Sequence, residues 1–290
     1  QSHLLQKKGI INQIAERNHV IELGINNFKP DKFYFKRIGI NESFTFPGFC
    51  AEHDHLIFRE IENENTDYSS YRTQLLLSYR AVMNEKRKKE IAIDSYNRIL
   101  NSNTLSPYLT DDYKKSLRQG IDGYNAGIRD ELYYEDFFLT NIDDPTLRDF
   151  KFLTFELPKI EVCSSAVFTY ETSAEIIELM KQQEYKNGKA LTEIYFNLLP
   201  LENKSIIVIG CLNERVNTCW EFIESFQPTP QGISFKRLSD LLLCQVENWL
   251  CSEGFYREKL KPREKTIFQI SHESSEHLDE RRELGFNIFD

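Results

Sequence analysis

The stretch "TEIYFNLLPLENKSIIVIGCL", residues 192–212, carries two runs dense in Ile, Val, Phe, Tyr and Leu. Short runs of β-branched and aromatic residues bounded by turn formers read as strands rather than helices. Working outward, the same character begins near residue 145. "RDFKFLTFELP" (148–158) and "EVCSSAVFTYE" (161–171) are strand-like, and "SAEIIELMKQQEY" (173–185) reads as an intervening helix. Downstream, "NTCWEFIESF" (217–226) and "SFKRLSDLLLCQVENWLCSEGFY" (234–256) return to helix, with Trp249, Phe255 and Tyr256 taken into the core. The tail, "KPREKTIFQISHESSEHLDERRELGF" (261–286), is charged and expected to be peripheral.

Upstream, residues 66–140 have helical periodicity. Tyr68, Tyr71, Leu75, Tyr79 and Val82 recur at spacings of three and four, and Thr66 or Asp67 is placed to cap the helix. A second helix starts at Thr110 with two acidic residues in its first turn, and "NSNTLSP" (101–107) connects the two as an antiparallel hairpin. Residues 1–65 form a compact beginning. "SHLLQKKGIINQIAERNH" (2–19) reads as a short helix capped by Ser2, with Leu4, Ile11 and Ile14 on one face. "VIEL" (20–23) and "KFYFKRIGI" (32–40) read as strands about a turn at Pro30-Asp31. The expectation is an α+β fold rather than regular βαβ alternation. Its parts are a small knuckle-like N-terminal unit (1–65), a helical hairpin (66–142), and a mixed sheet with flanking helices (143–290).

The chain has 290 residues, 40% hydrophobic and 13% aromatic, which is ample for a large core. The net charge of -9 argues against a surface coated in non-specific nucleic-acid contacts, but leaves room for a local basic groove. The six cysteines sit mostly in apolar runs and form no Cys-x-x-Cys pair, which suits buried thiols in a reducing cytoplasm. No apolar run approaches bilayer length and no signal peptide is visible, so a cytoplasmic protein with no membrane contact is expected. The chain opens on Gln1, which reads as processing or as a fragment whose upstream residues carry further ligands.

The sharpest functional feature is "FPGFCAEHDHLIF", residues 46–58. A strand meets Pro47-Gly48, turns sharply, and enters a helix whose buried face is expected from Leu56, Ile57 and Ile61. Cys50 and His53 fall at Cys-x-x-His spacing across this turn, where a tight loop offers one zinc ligand and the first helical turn the next. Two ligands do not close a tetrahedral site. His55, His3 and His19 are the nearest further candidates, with Asp54 as an oxygen ligand or a support for an imidazole. The same residues also fit a packed cysteine followed by solvated helix histidines.

Taken together, "SHLLQKKGIINQIAERNHV" (2–20), "FKRIGINESFTFPGFCAEHDHLIFREIE" (35–62) and "LLLSYRAVMNEKRKK" (75–89) resemble an uncharacterised bacterial protein family. In it a cysteine-containing segment precedes "SH", and GFC-x-x-HD follows. That order is similar to the zinc-supported HNH-like, or ββα-metal, nucleases. The resemblance implies Cys50 and His53 as a structural zinc knuckle, His3 as general base, and Asp54, with His55 second, as ligand to a catalytic divalent metal such as magnesium. The implied activity is nucleic-acid binding or metal-dependent cleavage. This chain lacks the upstream cysteines, and its spacer from His3 to Cys50 is wider than in compact HNH modules. The alternative is a non-catalytic protein-interaction module with a structural knuckle.

Other clusters carry less. "NEKRKKEIAI" (84–93), with Arg80 before it, is the densest basic run, but Glu85 pairs with Lys89 at i, i+4 and a solvated helix face accounts for it. Ser164, Ser165 and Cys163 lack a base nearby in sequence. His272 and His277 are five apart, off the i, i+4 spacing of a helical metal pair.

Overall fold

The computed structural model describes residues 2–25, 33–63, 65–182, 188–228, 235–276 and 283–290. The fold is α+β, as the change of period indicated. Residues 192–212 form two interior strands of its sheet: β7 (Glu193–Pro200) and β8 (Lys204–Leu212) pair antiparallel. Along β7, Tyr195 and Leu199 enter one apolar core, while Ile194, Phe196 and Leu198 enter the other. Both faces are covered, so neither strand shows a polar face and both read as continuous apolar runs.

The remaining strands are β2 (His19–Ile25), β3 (Phe33–Gly39), β5 (Phe150–Pro158), β6 (Val162–Thr169) and β9 (Trp249–Cys251). With β7 and β8 they make one seven-stranded sheet in the order β3-β2-β9-β6-β7-β8-β5, every neighbour antiparallel. Residues 1–65 thus give two strands to the sheet that residues 143–290 complete, joined through Ile21 opposite Cys251. A smaller ribbon pairs β1 (Ser2–His3) with β4 (Thr45–Phe46).

One face of the sheet carries the helical hairpin, α2 (Tyr71–Leu100) and α3 (Asp111–Asp143). Leu75, Tyr79, Val82, Tyr134 and Phe138 close this core over Tyr195, Val208 and Phe150, together with Leu5, Ile11 and Phe58 from the N-terminal unit. Thr110 caps α3 as expected, accepting from the Tyr113 backbone N–H at 3.2 Å, with Asp111 and Asp112 in the first turn. On the other face lie α5 (Val216–Glu224), α6 (Phe235–Cys244) and α7 (Glu264–Glu276), with α4 (Ser173–Leu179) between β6 and β7.

Five local expectations change. Residues 2–19 form β1, a series of turns and one 3-10 turn (Ile11–Gln13), not a helix. Ser2 is buried opposite Phe46 and caps nothing, although Leu4, Ile11 and Ile14 are buried as the pattern required. The 3.6-residue spacing there came from residues buried on several sides. The helix after Pro47-Gly48 is present as α1 (Ala51–Phe58), and Ile61 just beyond it is buried as expected, but the helix itself buries Phe58 and leaves Leu56 exposed. The hairpin helix begins at Tyr71, because Asp67 accepts from the Ser69 backbone N–H and closes a turn instead of capping. In the C-terminal part, "WLC" leaves the helix to become β9, wedged between β2 and β6, where three buried side chains gain more than a solvated helix end would. The charged tail is also not peripheral throughout: among its described residues Ile267, Ile270 and Leu284 are buried in the second core. The turn at Pro30-Asp31 and the side chain of His277 lie outside the described residues.

Candidate functional site

The Cys-x-x-His pair is assembled by local backbone geometry. Cys50 is the N-cap of α1 in extended conformation, and its Sγ accepts weakly from the His53 backbone N–H at 3.5 Å. That places Sγ 3.2 Å from His53 Nδ1, with both residues exposed. A thiolate and an imidazole bound to one tetrahedral zinc stand about 3.5 Å apart, given bond lengths of about 2.3 and 2.0–2.1 Å. The pair is therefore nearly at chelating separation. His55 is exposed, two residues further along α1, and such positions lie on opposite sides of a helix.

Asp54 does not join this pair. It lies 3.6 Å from Arg80 of α2, whose side chain is 1% exposed. Arg80 also holds Glu62 at 2.6 Å and stacks over the Phe58 ring at 4.1 Å from its centroid. The guanidinium thus ties α1 and the turn after it to the hairpin, and a cation fixed beside Asp54 repels a second one. His3 sits in β1 opposite Thr45. Burial, and then the charge of Lys7, lower its pKa against a raising hydrogen bond to the Asn41 backbone, and its Nε2 is buried without a hydrogen-bond partner. His3 is therefore a neutral imidazole at pH 7. Among the described residues no three His, Cys, Asp or Glu side chains are grouped to hold a metal ion.

A second polar centre was not anticipated. The basic run of α2 is half-buried as well as ion-paired: Lys86 to Glu135 at 2.5 Å, Arg87 to Glu90 at 2.7 Å, Lys88 to Glu85 and Glu247 at 3.0 and 2.6 Å. Lys89 reaches Glu85 at 3.3 Å and bonds Glu131 of α3. Gly127 makes this reach feasible, because a Cβ there would lie 2.7 Å from Lys89 Cε. Glu193, at the start of β7, is 6% exposed and accepts from the Tyr195 hydroxyl at 3.2 Å. Burial drives the Glu131 carboxyl up to about 7, against the pull of Lys89. Burial, reinforced by Glu131, drives Glu193 well above the usual carboxylate range. Of these groups, Glu85, Lys89, Glu131, Glu193 and Glu247 line a cavity of about 200 Å³ between α2, α3, β6 and the start of β7. The i, i+4 reading of Glu85 and Lys89 was sound, but nothing in one helix's sequence shows that α3 and β7 bring further carboxylates to it.

The nucleophile candidates Cys163, Ser164 and Ser165 are all buried. Cys163 and Ser164 are fully buried, burial pushes the Cys163 thiol up, and the Ser164 hydroxyl donates to the Asn248 carbonyl at 2.7 Å. Among the described residues no helix is long and apolar enough to cross a membrane. Comparison with protein-family models, curated proteins and solved structures finds no match to this chain.

Proposed function

We propose that this chain is a zinc-supported protein-interaction module, in which Cys50 and His53 supply half of a structural zinc site. The observation that carries the reading is the 3.2 Å separation of Cys50 Sγ and His53 Nδ1 on an exposed helix start. The remaining two ligands would be the upstream cysteines that the resemblance implies. Two further features favour binding over cleavage. The Arg80 guanidinium stands 3.6 Å from Asp54 Oδ1, and its charge opposes a catalytic cation beside that carboxylate. The four cations of residues 86–89 are all engaged by carboxylates, which leaves that run little charge for phosphates.

A second reading, HNH-like metal-dependent cleavage of nucleic acid, draws on His3. A neutral imidazole with an unpartnered Nε2 is the state a general base requires. Native mass spectrometry of the full-length protein and of Cys50→Ala tests the zinc site. One zinc per chain, lost in the variant, is the expected result, and a metal-free wild type would overturn it. A magnesium-supplemented DNA-cleavage assay of wild type and His3→Ala separates the two readings: turnover lost in His3→Ala would establish the second.

A further inference from the structure

The cavity between α2, α3 and β6 has more acid groups than bases and one acceptor without a donor. Four carboxylates (Glu85, Glu131, Glu193 and Glu247) line it beside one ammonium, Lys89, and Lys88 bonds Glu85 and Glu247. Four acids against two bases leave two acids unmatched. One of these gaps is specific. Glu131 is 1% exposed, its Oε1 is taken by Lys89, and its Oε2 is buried with no hydrogen-bond partner. A buried carboxylate oxygen without a donor is costly, so a persistent one marks a place where a donor arrives from outside.

We propose that this cavity binds a small organic cation, a primary amine or diamine, whose ammonium group donates to Glu131 Oε2 and is balanced by Glu193. Size and wall chemistry agree. About 200 Å³ accommodates a ligand of several heavy atoms, and Ala166 and Val167 offer apolar wall to a short alkyl chain. A bare divalent cation fits less well. It needs several oxygens converging at about 2.0–2.6 Å, whereas these carboxylates are not grouped as a metal set and Lys89 already stands between Glu85 and Glu131. An ammonium bonds to separated acceptors one hydrogen at a time and tolerates that spacing. The elevated carboxyl pKa values are consistent with a site that holds protons until a cation replaces them.

Calorimetric titration of the full-length protein with 1,4-diaminobutane tests this, with uncharged 1,4-butanediol and magnesium chloride titrated separately. Saturable diamine binding is expected, weakened at least tenfold in Glu131→Gln and in Glu193→Gln, with no binding of the diol. Diamine affinity of the wild type should also rise from pH 6 to pH 8 as the Glu131 carboxyl ionises, a readout that stands even if a variant fails to fold. No diamine binding, equal binding of the diol, affinity unchanged in folded variants, a pH-independent affinity, or binding of magnesium alone would each overturn the proposal.

Discussion

Replacing Arg80 with alanine probes how the N-terminal unit is held to the hairpin. The guanidinium makes a 2.6 Å charged hydrogen bond to Glu62, which is 42% exposed. Solvent screening holds that bond to about 1 kcal/mol. Its stacking on Phe58 at 4.1 Å adds about 1 kcal/mol. Truncation to Ala also removes two buried methylenes, about 1.5 kcal/mol more. Asp54 at 3.6 Å is beyond hydrogen-bond range and is given no share. The expected loss is therefore about 3–3.5 kcal/mol. Arg80→Met keeps the stem and should lose only about 2 kcal/mol. Urea denaturation followed by circular dichroism, with the slope of the transition checked for constancy, measures both. An Arg80→Ala protein within about 1 kcal/mol of wild type would refute the reasoning. So would an Arg80→Met protein as stable as wild type, since the ion pair and the cation–π contact would then contribute nothing net.

The buried carboxyls set a pH dependence with a definite sign. Glu131 rises from 4.5 unfolded to about 7 folded, so the native state binds the extra proton between those values. Its contribution is fully present below pH 4.5 and is lost as pH rises toward 7, and urea midpoints of Glu131→Gln across that window should lack this downward slope. Gly210→Ala places a Cβ 2.5 Å from the Lys151 carbonyl and 2.2 Å from Phe152 Cδ1 across the β5–β8 pair. A backbone atom cannot step aside cheaply, so a loss of at least about 2 kcal/mol in the same assay is expected. Thiol titration of the native protein should find one fast-reacting cysteine of the six, Cys50, with the other five reacting only on denaturation. Two or more fast thiols would contradict the burial of Cys163, Cys211, Cys219, Cys244 and Cys251.

What the chain states locally is its element content. The apolar runs of β5 to β8 are legible because β-branched and aromatic residues in short bounded segments have few alternatives. The hairpin is legible because its buried positions keep a 3.6-residue period over many turns and Thr110 and its acidic neighbours mark an N-terminus. The Cys50–His53 contact is also local, since a turn followed by a helix start sets a spacing of three residues by itself. Tertiary structure decided the rest. β9 is a strand only because β2 and β6 leave a gap of its width, and residues 2–19 avoid helix because their apolar side chains meet different partners on several sides. Asp54 reads as a metal ligand in sequence, yet a buried arginine on α2, far along the chain, occupies its carboxylate's surroundings. The cavity around Glu131 and Glu193 could not be read at all. It exists because α2, α3, β6 and the start of β7 converge there, and the desolvation that shifts those carboxyls is a property of packed neighbours rather than of any segment of sequence.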